Sequence, residues 1–369
     1  MYFLGQAAHF SRARLWQHTF ATGTKRDAVK LRQALGQRYQ ADLAHVALYH
    51  TGRSALSVAL KMLLPPGSKV AINGFTCQAV VQAVKAAGCV PIYVDINRKQ
   101  LHFSATELKA SLTRYPDLKA LIIQNTLGLP TEIKPIQQLA KQYHLQIIED
   151  LAHSVGTSYQ DGSEAGTLGA ATVLSFGKGK SIDTSCGGAL ILRAPHLPAI
   201  DQPTKLPRLA DRLRDRFYPF LGLCMRLSRH LKLHKVVTGG FLALHWIARS
   251  ADAPLSRKTR LTNWQARLAL RQLQRIKPGR LPLRQHYFVR NRSEVFQALA
   301  DAGYHFSEIW YDVPVSPARY YKKLHFPEAE CPVATRVAAE IINFPNYYPE
   351  SALRPAHKII KTYQKELHD

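Results

Sequence analysis

Through the first half of the chain, short apolar runs alternate with stretches whose apolar residues recur at helical spacing. Ala44–Tyr49, Lys69–Ile72, Val90–Val94, Leu118–Ile123 and Leu145–Ile148 have the length and composition of buried strands. Between them, Lys25–Tyr39 carries Val29, Leu31, Leu35 and Tyr39 near helical spacing. The stretch after Gly52 carries Leu56, Ala59, Leu60 and Leu63 until Pro65, Pro66 and Gly67 stop it. Cys77–Ala87, Phe103–Leu112 with Ser104 as its cap, and Ile133–Tyr143 complete the helical set. Two more apolar runs follow, Ala170–Phe176 and one opened by Gly187 and Gly188. This alternation predicts a mostly parallel, doubly wound sheet.

The rhythm breaks at residues 200–255. There Leu209, Leu213, Phe217, Phe220, Leu221 and Leu227 are interleaved with arginines, and a thirteen-residue apolar piece, VVTGGFLALHWIA, follows. A helix after Pro254 carries Leu261, Trp264, Leu268, Leu273 and Ile276. Helical patterns at Ser293–Ala302 and Pro332–Ile342, and a short strand at Glu308–Val313, suggest a smaller α+β domain. The expected division is 1–254 for the large domain and 255–369 for the small one.

Composition narrows the class. Hydrophobic residues make up 46% of the chain and charged ones 20%, which excludes intrinsic disorder. The five cysteines, Cys77, Cys89, Cys186, Cys224 and Cys331, include no CxxC pair. That argues against a disulfide scaffold or a zinc site, so no metal is expected, and it fits a reducing, cytoplasmic compartment. The start lacks a signal-peptide apolar core, and no run reaches the ~18 apolar residues of a spanning helix.

Charge is the unusual property. The formal net charge is +25, and Lys205 to Arg292 alone holds 21 Lys and Arg against three acids. Such a surface attracts anionic small molecules, anionic lipid or nucleic acid. The arginine-interleaved segment has the character of a helix lying on an anionic membrane surface, against the simpler reading of a packed excursion with solvated charges.

The candidate chemistry is concentrated between Ile147 and Leu192. One apolar run ends in Glu149 and Asp150, with His153 just after them. The next ends at Ser175 and breaks into Gly177, Lys178, Gly179 and Lys180. In α/β sheets ligands collect at the carboxyl ends of strands, where Asp150 and Lys180 would stand. A carboxylate and an amine there can be a plain ion pair. They can also be the two fixed points of a pyridoxal phosphate (PLP) site, with a Schiff-base lysine and an aspartate partner for the pyridine nitrogen. Lys178 competes with Lys180 for the first role. The turn Gly52-Arg53-Ser54 offers backbone N–H groups, a hydroxyl and a guanidinium at a helix N-terminus, a ready phosphate site or an ordinary helix cap. Ser175 would add a second hydroxyl.

With these motifs in order, the chain resembles the DegT/DnrJ/EryC1/StrS family of PLP-dependent sugar aminotransferases, from about Gly5 onward. The likeness is strongest in IIEDLAHSVG, GTLGAATVLSFGKGKSIDTSCGG and AAGCVPIYVDI, and weaker in TGRSAL, RLTNWQARLALRQLQ and INFPNYYP. It implies an α/β PLP-dependent transferase of fold type I, with a mixed, mostly parallel sheet of seven strands and a small C-terminal domain. It further implies a homodimer and transfer of an amino group, by family habit from glutamate, to a keto nucleotide sugar in glycan synthesis. Lys180 and Asp150 would be catalytic. His153 would meet the cofactor's phenolic oxygen, and Ser175 with Gly52, Arg53 and Ser54 its phosphate. The ring-stacking aromatic of the family is replaced by Cys77, with Phe75 two residues earlier, so either is a candidate. Arg53 stands for a threonine, Cys186 for a glutamate and Lys258 for an asparagine. The alternative reading is a non-catalytic member that uses its basic segment on membrane or nucleic acid; the lysine–aspartate pair speaks against it.

Overall fold

The computed structural model describes residues 2–4, 12–194, 196–230, 233, 255–280, 282–306, 310–346 and 350–364. The expected apolar piece at 236–248 lies outside them. In chain order the elements that build the large layer are α1 (Arg12–Thr19), α2 (Lys25–Tyr39), β1 (Val46–Tyr49), α3 (Gly52–Leu63), β2 (Lys69–Asn73), β3 (Thr76–Cys77), α4 (Gln78–Ala86), β4 (Val90–Val94), α5 (Ala105–Arg114), β5 (Leu118–Ile123), α6 (Ile133–Gln142), β6 (Gln146–Asp150), β7 (Ala171–Ser175) and β8 (Gly188–Leu192). Seven strands form one sheet in the order β1-β8-β7-β6-β5-β2-β4. All neighbours are parallel except β8, which runs antiparallel to both β1 and β7. This is the mixed, mostly parallel seven-stranded sheet expected from the sequence.

Strand alternation divides the core between the two faces. Leu48, Ala71, Leu121, Ile123, Ile147, Leu174 and Ile191 pack on one side against Leu31, Leu35 and Tyr39 of α2 and Ile136 and Ala140 of α6. Ala47, Val70, Ile72, Ile122, Ile148, Val173 and Leu190 face the other side, with Leu56 and Leu60 of α3 and Val80 and Val84 of α4. Glycine is required where β8 begins: a Cβ on Gly188 would lie 2.5 Å from Gly52 Cα. The start of α3 can therefore rest directly on the beginning of β8.

The helix α7 (Leu209–His230) follows, and then α8 (Asn263–Leu273). Leu261, Ala266, Ala269 and Leu273 join the cluster that covers the α2 face of the sheet. The packing of the large layer therefore continues through α8, beyond residue 254.

The remaining elements are β9 (Arg284–Phe288), α9 (Arg292–Asp301), β10 (Tyr304–Phe306), β11 (Val315–Ser316), α10 (Ala318–Tyr321), α11 (Pro332–Glu340), β12 (Ile341–Pro345) and α12 (Glu350–Thr362). β9 and β12 pair antiparallel, and Val295, Leu299, Leu353 and Ile360 close a separate cluster around Ile342 and Phe344. Of the strand expected over Glu308–Val313, residues 308 and 309 lie outside the described set and the rest is turn. β11 pairs instead with β3, fastening this region to Thr76 and Cys77.

On α7 the arginines and leucines separate. Leu209, Leu213, Phe217, Cys224 and Leu227 are exposed at spacings of three, four or seven residues, beside a stacked and exposed Trp16–Phe20 pair. Arg214 pairs with Asp211 at 2.9 Å. Arg216 donates to the carbonyls of Thr19 and Ala21, each at 3.1 Å, and lies over Trp264. Arg214 and Arg216 are thus spent on the protein itself, and the exposed stripe of α7 is apolar.

Candidate active site

The two acids that end β6 turn to different tasks, as period-two alternation requires. Glu149 is 0% exposed. Its carboxylate accepts from the N–H groups of Gly166 (2.7 Å), Leu168 (2.8 Å) and Gly169 (2.7 Å) and from Tyr159 Oη (2.9 Å). It also faces Arg193 at 3.5 Å. Glu149 therefore folds the 159–169 loop back onto β6, a structural role the sequence did not reveal. Asp150 projects to the opposite side and accepts from Ala152 N–H at 3.0 Å. Burial pushes its carboxyl up to about 6, while the Ala152 N–H and the charge of Lys180 pull the other way.

His153 is buried beside it. Its Nδ1 accepts from Leu127 N–H at 3.1 Å, which leaves the proton on Nε2. Burial, and then the charges of Lys180 and Arg284, hold the ring well below its ordinary pKa, so it is neutral. Lys180 follows a turn fixed by its own N–H to Gly177 O (3.2 Å) and by Gly179 N–H to the Asp183 carboxylate (2.7 Å). Asp183 is held in turn by Gln272 of α8, on both its N–H and its carbonyl, at 2.9 Å each. A helix distant in sequence thus sets the lysine's turn.

The two lysines have separate surroundings. Lys180 Nζ stands 4.4 Å from the centre of the Trp310 ring, in electrostatic reach of Asp150 and His153. Lys178 Nζ stands 4.2 Å from the centre of the Tyr218 ring on α7, near Asp215 and Cys186. Asp150, His153 and Lys180 are therefore together, and Lys178 is in another environment.

The turn at the start of α3 lies against Ser175. A Cβ on Gly52 would meet Ser175 Cβ at 3.0 Å. Thr51 caps the helix, accepting from Ser54 N–H at 3.1 Å, and the Thr51 and Ser54 hydroxyls are 2.8 Å apart. Ser175 Oγ accepts from Gly177 N–H at 3.4 Å. Arg53 is buried and bonds Gln82 of α4. Of the two candidate stacking residues, Phe75 is fully buried against Tyr311, with ring centres 4.7 Å apart. Cys77 caps α4, accepting from Ala79 N–H at 3.5 Å.

Sequence reasoning missed an aromatic pair from the C-terminal region. The Trp310 ring stacks on His153 with centres 4.9 Å apart, and the Arg284 guanidinium lies 4.4 Å from its centre. Arg284 is anchored by Asn343 Oδ1 at 2.6 Å, and Asn343 Nδ2 donates to Trp310 O at 2.8 Å. Tyr311 adopts a left-handed φ of 65°. The adjacent aromatics Trp310 and Tyr311 were the available signal. Beside the lysine turn a cavity of about 690 Å³ opens, lined by Ser181, Asp183, Arg271, Arg275, Lys277 and Arg280 among others.

The fold is that of the type I PLP-dependent aminotransferases. The chain belongs to the DegT/DnrJ/EryC1/StrS aminotransferase family, whose profile matches residues 37–280. A solved member of that family from Brucella abortus superposes with a TM-score of 0.65 at 19% identity, over 96% of this chain and 94% of its own. The sugar aminotransferase Spr1654 of Streptococcus pneumoniae, in its PLP form, gives 0.63 at 19% identity over 94% and 92%. Among curated relatives, GDP-perosamine synthase of Caulobacter vibrioides is 29% identical over 185 residues, 50% of this chain and 49% of that protein. A UDP-N-acetyl-3-dehydro-alpha-D-glucosamine 3-aminotransferase of Acidithiobacillus ferrooxidans is 30% identical over 153 residues, 41% of each. The chain thus spans about half the length, or less, of these curated relatives. Among the described residues no helix is long and apolar enough to cross a membrane.

Proposed function

We propose that the protein is a PLP-dependent aminotransferase. It takes an amino group from glutamate and delivers it to a keto sugar carried on a nucleotide, as a cytoplasmic homodimer serving polysaccharide or envelope-glycan synthesis. The observation that carries this reading is the convergence of Asp150, His153 and Lys180 at the carboxyl ends of β6 and β7, in a chain of this family.

The residues present fit the cofactor. Asp150 is a buried carboxyl whose charge an N–H⁺ partner would stabilise. The close approach of Gly52 to Ser175 puts hydroxyls and the first N–H groups of α3 side by side, a donor set suited to phosphate. When bound, PLP supplies an electron sink for the pair left when the donor's α-proton departs. Asp150 keeps the pyridine nitrogen protonated. Lys180 carries the proton between the donor's α-carbon and the cofactor's C4′ as base and then acid. His153 offers its Nε2–H to the phenolic oxygen, because Leu127 occupies Nδ1. Trp310, held by Arg284 and Asn343, shields the proton path from water. Arg271, Arg275, Lys277 and Arg280 around the adjacent cavity suit the diphosphate of a nucleotide sugar. On the same reading the large domain runs to about residue 280, with the small domain after it.

The test is a half-reaction. Glutamate added to the PLP-loaded protein is expected to bleach its visible absorption and release 2-oxoglutarate, and a keto nucleotide sugar to restore the absorption. Absence of both changes with glutamate and with other amino donors would remove the transaminase reading.

We further propose that the exposed stripe of α7 rests on an anionic membrane, with Lys205 and Arg208, both exposed at its N-terminal end, supplying the attraction. A basic side chain near an anionic leaflet contributes about 1 kcal/mol. Co-sedimentation with vesicles should require anionic lipid, weaken with salt and be lost when Leu213 and Phe217 become Ser. Equal binding to neutral vesicles, or none to either kind, would rule this out.

A further inference from the structure

One group of side chains between α7 and the sheet edge takes no part in the chemistry above. His50 directly precedes the Thr51 cap of α3, Cys186 directly precedes Gly187, and Asp215 lies on α7. An imidazole nitrogen, a Sγ and a carboxylate oxygen from these three all lie within 4.8 Å of one another. His50 and Asp215 are buried, and His50 Nε2 is 3.7 Å from Asp215 Oδ2, too far for a hydrogen bond. Among the described residues, neither ring nitrogen of His50, nor Asp215 Oδ2, has a hydrogen-bond partner. Leaving such groups buried and unserved is unfavourable, because each loses its hydration without a replacement partner. Cys186 is half-buried and its thiol points to the same place, donating to His50 O at 2.9 Å.

We infer that His50, Cys186 and Asp215 bind a zinc ion. One nitrogen, one sulfur and one oxygen are donors that zinc accepts in a tetrahedral shell, with the fourth position left to water. Bond lengths of about 2.0–2.3 Å put tetrahedral ligand atoms roughly 3.3–3.8 Å apart, so the present cluster needs to contract by at most about 1–1.5 Å. On binding, the Cys186 thiol gives its proton to solvent and forms the sulfur–zinc bond. The thiolate and the Asp215 carboxylate then balance the ion's two charges. The competing occupant is the Lys178 ammonium, whose charge also reaches Asp215 and Cys186. The described geometry with Lys178 nearby still leaves both His50 nitrogens and Asp215 Oδ2 without partners. The ion would clip α7 to the Thr51–Ser54 turn and the glycine pair. The cysteine spacing gives no sign of this set, because its three ligands come from distant segments of the chain.

Cobalt(II) occupies zinc's tetrahedral sites and, unlike zinc, has d–d absorption, at longer wavelengths than PLP absorbs. Added to the chelator-treated full-length protein, it should give the intense spectrum of a thiolate-ligated tetrahedral site. That spectrum should saturate at one ion per chain and be erased by zinc. Cys186→Ser and Asp215→Asn should weaken binding by at least about tenfold, and Cys224→Ser, on the exposed stripe, should not. In the unaltered chain zinc should protect Cys186 from iodoacetamide, read by peptide mapping. No tetrahedral spectrum, a spectrum indifferent to Cys186→Ser, or equal alkylation of Cys186 with and without zinc would overturn the site. The cluster would then be a Lys178–Asp215 ion pair with a bystander thiol.

Discussion

Lys180→Ala is expected to abolish transamination and covalent attachment of PLP while leaving the fold intact. The side chain ends at the Trp310 ring and makes no contribution to either sheet-face cluster, so its removal opens little core. The chemical loss is large because one amine both holds the cofactor and moves the proton. Proton transfer by a positioned group alone contributes about 10²–10⁴-fold. Lys178→Ala should retain attachment, since Lys178 Nζ lies over Tyr218 and near Asp215, away from Asp150 and His153. Borohydride reduction of the loaded protein followed by peptide mapping decides between them. A pyridoxyl group on Lys178 would exchange the two assignments, and with them the meaning of the Asp215 cluster.

The parts of this molecule that were legible in the sequence are those encoded within a few residues. Ile147, Ile148, Val173 and Leu174 announce buried strands because alternate residues enter opposite cores. Asp150, Ser175 and Lys180 could be singled out as candidates because strand ends and glycine turns are local signals. The Thr51–Ser54 turn was legible for the same reason, since a cap and its helix are adjacent. What sequence could not show was assembled across long separations. Glu149 and Asp150 are neighbours and look alike; only the 159–169 loop, folded back by three N–H groups, makes the first a structural anchor. Arg284, Trp310 and Asn343 meet His153 and Lys180 because the C-terminal region folds over the carboxyl ends of β6 and β7, and no spacing rule joins them. The break in rhythm after residue 200 marks an excursion, and the packing of Leu261, Ala266 and Leu273 beside α2 is a long-range contact that no local signal shows. The arginines of α7 looked like a basic outer face, but a guanidinium also bonds carbonyls and covers aromatic rings, as Arg216 does with Thr19, Ala21 and Trp264.

Asp150→Asn is expected to lower the rate by about 10²–10³-fold, the cost of removing one preorganised electrostatic contact from the transition state. The amide is nearly isosteric and can still accept from Ala152 N–H, so position is preserved and charge is not. An uncharged partner leaves the pyridine nitrogen without its proton, and the electron sink is lost. Stability should move the other way in the cofactor-free protein. Burial raises the carboxyl from 3.8 to about 6. Between those values the folded chain binds more protons than the unfolded one, so the group costs stability as pH rises through that window, up to about 3 kcal/mol once it is ionised. Asn removes that cost, and the cofactor-free variant should melt at a higher temperature than the parent at pH 7, with the two converging near pH 4. PLP should reverse the order, because the pyridinium pairs with the carboxylate of the parent and not with the amide. Thermal melts with and without PLP, over pH 4 to 8, test this crossing together with the rate. A variant with near-full activity, or one whose melting temperature relative to the parent is unmoved by PLP, would assign Asp150 to the scaffold and displace the site from the end of β6.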